Sequence, residues 1–166
     1  MIVDYKLGEY NIKVFPENFT ENPFFLTRKG FICIGGLNSD KNIGVAIIDE
    51  NSRVLDKRAK VFLSDKDVEL NYLPGDKIKV FRLEKYAILP LIGFEIFKPS
   101  LWKQVDERVD LVTHHLETEI WDEEEAEGWR ELQKGVVDYF KCDLVCSFKK
   151  VVDEDIDISG IVRYER

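Results

Sequence analysis

The hydrophobic period of this chain changes at Pro99, and that change sets what it can fold into. Upstream, short β-branched and aromatic segments recur between turn clusters, and no stretch sustains a 3.6-residue repeat, so residues 1–98 read as strands. Tyr10, Ile12 and Val14 alternate with Asn11 and Lys13 and stop at Pro16, and residues 24–26 read as another short strand. Residues 31–34 and 43–48 are apolar runs flanking a cluster rich in Gly, Asn and Asp (35–42), residues that accept the positive φ a chain reversal needs. This is the clearest hairpin. A second reversal at 49–52 leads into 54–63, and Pro74-Gly75-Asp76 is a turn before the alternating stretch 77–80. Five to seven strands, mostly antiparallel, are expected.

Downstream of Pro99 the apolar residues Leu101, Val105, Val109, Val112, Leu116 and Ile120 fall three or four apart, with Ser100 placed to cap them. That stripe predicts a helix over about 100–120. A second helix, about 122–141, starts with acids that complement its dipole and buries Trp129, Leu132, Val136 and Tyr139 or Phe140. The tail returns to strands through Leu144, Cys146 and Phe148, then Ile156, Ile158 and residues 161–164. The expected fold is one α+β domain over 1–166, a mostly antiparallel sheet with both helices on one face and strands before and after.

A chain of 166 residues needs no disulfide or metal to hold its core, and three cysteines (Cys33, Cys142, Cys146) read as thiols of a reducing, cytoplasmic compartment. The start carries Asp4 and no basic segment before an apolar one, so no signal peptide is expected. The longest apolar run, 86–97, is broken by Pro90, Gly93 and Glu95 and is too short to span a bilayer. A net charge of −8 argues against nucleic acid and anionic membranes as partners.

Catalytic patterns are missing. His114 and His115 are adjacent on the expected helix and diverge, so they cannot share a metal; His115 with Glu119 one turn on reads as a structural contact. Cys142 and Cys146 supply two of the four ligands that a structural zinc needs. Asp155, Asp157, Ser159 and Gly160 imitate half a calcium loop, but Arg166 stands where the bidentate Glu belongs. Gly35-Gly36 lacks phosphate-loop spacing. No metal, cofactor or catalytic residue is expected, and carboxylate pairs carry little information in so acidic a chain.

The acids themselves are lopsided. From Val109 to Trp129 there are eight (Asp110, Glu117, Glu119, Asp122, Glu123, Glu124, Glu125 and Glu127) and no Lys or Arg, leaving 24 acids against 24 bases elsewhere. Such a block is ordinarily a solvated helix end. Trp121 and Trp129 bracket it, however, and aromatics among carboxylates suit a basic protein partner steered in by charge. Glu117, Glu119, Trp121, Asp122, Glu123, Glu124, Glu125, Glu127 and Trp129 are therefore the expected partner-binding residues. In size, acidity and strand-then-helix order, and in stretches such as GFICIGGLNSDKNIGVAIID and KPSLWKQVDERVDLVTHHLETEIWDE, the chain resembles immunity proteins of contact-dependent growth inhibition and related polymorphic toxin systems. The resemblance implies a non-enzymatic inhibitor that binds a cognate toxin domain. Two alternatives stand beside it: a small metal-dependent hydrolase using His115 and nearby carboxylates, and a homodimeric domain joined through Trp102, Phe94 and Phe97.

Overall fold

The computed structural model describes residues 1–120, 122–151 and 160–166. Strands β1 (Val3–Leu7) and β2 (Tyr10–Val14) pair antiparallel across a two-residue turn, where Gly8 takes a φ of +58° that a side chain would resist. β3 (Ile32–Gly36) lies parallel to β2, and β4 (Gly44–Ile48) and β5 (Val54–Ala59) complete a five-stranded sheet in sequence order. Then follow α1 (Asp65–Glu69), β6 (Phe81–Leu83), β7 (Tyr86–Ile92), α2 (Pro99–Trp102), β8 (Leu111–His115) and β9 (Glu119–Ile120). Helix α3 (Glu123–Phe140), β10 (Leu144–Ser147), β11 (Lys150–Val151) and β12 (Ile161–Val162) close the order. The second five-stranded sheet runs β12-β10-β8-β7-β6, and β9 pairs with β11.

The two large sheets face each other. Ile12, Val14, Ile34, Val45 and Ile47 of the first sheet interleave with Ile88, Ile92, Leu111 and Val145 of the second, all essentially without solvent contact. Each such side chain contributes roughly 1.5–3 kcal/mol on burial. Val136 and Val137 of α3 cover the opposite face of the second sheet, over Leu89, Leu91, Val112 and Leu144. The outer face of the first sheet has lighter cover: Leu26, from the one-turn 3₁₀ segment Pro23–Leu26, seals Phe15, Cys33, Ala46 and Ile48.

The α+β class, the 31–48 hairpin and the second helix are as expected, and seven strands precede Pro99. Four details differ. Both sheets are mixed, because β2–β3, β7–β8 and β8–β10 are parallel. Residues 24–26 form the 3₁₀ turn, and 77–80 lead irregularly into β6. The helix expected over 100–120 is absent: the chain makes one turn in α2 and then the central strand β8. β8 is hydrogen-bonded on both sides and covered on both faces, by the first sheet and by α3. Such a strand reads as a continuous apolar run rather than an alternation. Its Val112, with Val109 and Leu116 on either side of the strand, fell on a helical stripe by coincidence of spacing. Among the described residues no helix is long and apolar enough to cross a membrane.

Candidate functional site

Four strands deliver chemistry at their carboxyl ends. Glu17 comes three residues after β2, Lys60 directly after β5, Gly93 directly after β7 and Glu117 two residues after β8. With Asp67 of α1 and Phe94 they line a cavity of about 340 Å³. Loops at the carboxyl ends of parallel strands commonly form such crevices, because the sheet holds the strands rigid while the connections stay free to vary.

At the floor, one ammonium sits between two carboxylates. Lys60 Nζ donates to Glu17 Oε2 at 2.5 Å and to Asp67 Oδ2 at 2.8 Å, and all three residues are buried. Asp67 is locked by the capping box that starts α1: Ser64 N donates to its Oδ2 (2.9 Å) while its own N–H donates to Ser64 Oγ (3.2 Å). Burial works against the Asp67 charge, yet the bonds from Lys60 and Ser64 outweigh it and hold the carboxyl below its ordinary range. Burial likewise opposes the Lys60 charge, and the two acids overcome it, so the ammonium persists. Glu17 is different. Burial pushes its carboxyl up to about 7, reinforced by Asp67 and Glu117 and opposed by Lys60. Of the two acids sharing one cation, Asp67 keeps its charge and Glu17 is left able to take up or release a proton near neutrality.

Gly93 opens the space in front of this pair. Its φ is +55°, and a Cβ there would stand 2.9 Å from Glu17 Oε1 and 3.0 Å from Lys60 Nζ. The Gly93 carbonyl is fixed by His114 Nε2 at 2.9 Å. A carbonyl only accepts, so Nε2 carries the hydrogen and Nδ1 accepts from Gln133 Nε2 at 3.0 Å. His115 does the same for the other side of the site: Nδ1 donates to Phe15 O (2.7 Å), two residues before Glu17, and Nε2 accepts from Thr113 Oγ1 (2.8 Å). Burial depresses both imidazoles, to about 4 for His114 and about 3 for His115, so both are neutral. His115 therefore cannot act as the metal ligand of the hydrolase alternative, since both its nitrogens are engaged in a dry strand. Among the described residues no three His, Cys, Asp or Glu side chains are grouped to hold a metal.

The residues expected to form one partner surface fall on the cavity wall, on β9 and on the first turns of α3. Glu117 lines the cavity and accepts from Asn18 Nδ2 at 2.8 Å. Glu119 belongs to β9. Trp121 and the Asp155–Ser159 calcium-loop imitation lie outside the described residues. Asp122 caps α3 through the N–H of Glu125; Glu123, Glu124 and Glu125 form the first turn of α3, and Glu127 follows with its side chain exposed. Trp129 turns inward and stacks on Phe94, with centroids 5.9 Å apart and planes 4° from parallel, beside Phe97 and His114. Of the homodimer residues, Trp102 is buried and donates to Ile96 O, while Phe94 and Phe97 stay partly exposed. Cys33, Cys142 and Cys146 are buried thiols pushed up to about 11, 12 and 12 by burial, and none lines the cavity. Sequence reasoning passed over Glu17, Lys60, Asp67 and Gly93; the available signal was Lys60 and Gly93 directly after two strands and Glu17 three residues after a third.

No protein-family model and no curated protein matches the sequence. Solved structures do match. A CN-hydrolase superfamily protein of Xanthomonas campestris, with an arsenic adduct in its active site, aligns over 93% of this chain and 67% of its own at 14% identity and a TM-score of 0.67. An amidase of the nitrilase superfamily from Nesterenkonia AN1 aligns over 82% and 63% at 14% identity and 0.64. In another structure of that amidase acrylamide has added to an active-site cysteine. A glutamine-dependent NAD+ synthetase of Acinetobacter baumannii aligns over 81% of this chain and only 31% of its own, at 15% identity and 0.62. The chain thus spans from about a third to two thirds of the length of these proteins. They share its fold and are carbon–nitrogen hydrolases and related enzymes, which overturns the resemblance to immunity proteins. The expectation of a non-enzymatic toxin inhibitor falls with it.

Proposed function

We propose that this chain hydrolyses the carbon–nitrogen bond of small amides, with Glu17 as general base and Lys60 as the donor to the developing oxyanion. The observation that carries the reading is the buried Glu17–Lys60 pair facing the space over Gly93, in a fold shared with amidases. Because no cysteine lines the cavity, water is the nucleophile. A water over Gly93 gives its proton to the Glu17 carboxylate as its oxygen attacks the carbonyl carbon, and the C=O electron pair moves onto oxygen, facing the Lys60 ammonium. Collapse of the tetrahedral intermediate breaks the C–N bond, and Glu17 returns the proton to the leaving nitrogen. The products are ammonia or an amine and a carboxylic acid. Lys60 stays charged throughout because Asp67 holds it, which is what an oxyanion requires. A volume of about 340 Å³, near the lower end for ligand cavities, limits the substrate to a short acyl group.

The test is ammonia release from C2–C5 carboxamides by the purified chain. Turnover that disappears in both Glu17→Gln and Lys60→Met is the expected result. Folded protein that releases no ammonia from any of them, or turnover that survives both substitutions, overturns the reading.

A further inference from the structure

Glu117 is unlike the other acids of the cavity: no buried lysine neutralises it. Its Oε1 lies 3.5 Å from Lys66 Nζ, with the two side chains 36% and 68% exposed. An ion pair so exposed is worth little and gives way readily to a better-placed cation. Yet Glu117 is held in place. Asn38 Nδ2 donates to Asn18 Oδ1 at 2.7 Å, and Asn18 Nδ2 donates in turn to Glu117 Oε2 at 2.8 Å. Asn18 adopts a left-handed φ of +56° to do so, a conformation Asn tolerates better than most residues. Behind Glu117 and Glu17, which form a shared wall, lies a second cavity of about 560 Å³. Glu17, Asp67 and Glu117 thus face Lys60 and a solvent-loosened Lys66, so with Glu17 ionised the cavity carries one more negative charge than positive.

Resting on the amide-hydrolase reading, the geometry points to Glu117 as a specificity-determining residue that selects amides bearing a primary ammonium group on the acyl chain. The ammonium displaces Lys66 and bonds to Glu117 Oε1, while the amide carbonyl takes its place against Lys60. Phe94 of the same cavity, backed by Trp129, supplies an apolar side for the intervening methylenes. A carboxylate-bearing amide of equal length meets Glu117 with like charge and is rejected.

Three amides of near-equal size test this on the wild-type chain: 3-aminopropanamide, butyramide and succinamate, each measured for binding by calorimetry and for ammonia release. The expected order is ammonium over neutral over carboxylate, with at least a tenfold step between the first two. In Glu117→Gln the ratio of 3-aminopropanamide to butyramide falls to about one, and its melting temperature confirms that the chain is folded. Equal affinity for the first two amides, or a preference that persists in Glu117→Gln, overturns the assignment. Glu117-dependent binding without ammonia release supports it while removing the hydrolase reading. Turnover without preference does the reverse, and neither binding nor turnover overturns both.

Discussion

Two buried ion clusters lie side by side in this molecule and differ in what remains for them to do. β5 and the residue after it supply the cations of both, Arg58 and Lys60, and the segment after β7 supplies Glu95 to one and Gly93 to the other. The Arg58–Glu95 cluster is closed. Glu95 accepts Arg58 Nη1 (2.9 Å) and Nη2 (2.5 Å), Val61 N (2.8 Å) and Ile92 N (2.7 Å), filling the four acceptor positions of a carboxylate. Arg58 also ties Ala59 O and Pro90 O, so the pair staples the end of β5 to the 3₁₀ segment Gly93–Phe97. The Glu17–Lys60–Asp67 cluster is open. Glu17 takes a bond from Lys60 through Oε2, and its Oε1 faces the place of the Cβ that Gly93 lacks. Two clusters at near-identical depth, one cation with one carboxylate and one cation with two, thus separate into a structural joint whose carboxylate is saturated and a neighbour whose Glu17 carboxylate is not. What decides between them is whether a glycine leaves room.

The largest expected effect falls on the closed cluster. Glu95→Ala strands a buried guanidinium and costs about 3–5 kcal/mol, a large share of any domain's stability, read from urea unfolding. If Lys60→Met costs as much, the distinction between the clusters fails. Acid comes next. His114 and His115 are neutral in the fold with depressed pKa values, so protons favour the unfolded chain below pH 6.5, and each removes about 3 kcal/mol by pH 4. Glu17, with its raised pKa, works in the opposite direction: its contribution is complete below pH 4.5 and lost as pH rises through 7. Glu17→Gln should therefore steepen the acid loss of stability. It should also stabilise the protein at pH 8 by about 1–3 kcal/mol while lowering kcat/KM about 10²- to 10⁴-fold. In the wild type kcat/KM should climb through a midpoint near pH 7. The smallest effect on stability is that of Gly93→Ala, about 1–2 kcal/mol for a positive φ and close contacts, with activity abolished because the methyl takes the position of the attacking water.

The elements were more legible in the sequence than the site. Hairpins announced themselves through Gly, Asn and Asp between apolar runs, and α3 through its acidic first turn and apolar face. β8 did not, because a strand buried on both faces has no alternation, and its residues also fitted a helical stripe. The site was illegible for a related reason. Glu17, Lys60 and Asp67 are 43 and 7 residues apart along the chain, and only strand pairing brings them within hydrogen-bond distance. In a chain with 32 acids no single carboxylate stands out, and the densest acidic run drew attention to α3. Of that run, Glu117 lines the cavity, while Asp110 sits at the entry of β8, accepting from Arg108 and Ala87.

The successive histidines of β8 carry an implication for folding fidelity. Neighbours on a strand face opposite ways, so one grips the loop beneath α3 and the next grips the loop from the other sheet. A slip of β8 by a single residue would exchange these two anchors and release both loops together. The alignment of one central strand is thereby gauged by the same pair of rings that set the spacing of Glu17 and Gly93, and a misregistered molecule would lose the arrangement on which the proposed activity depends.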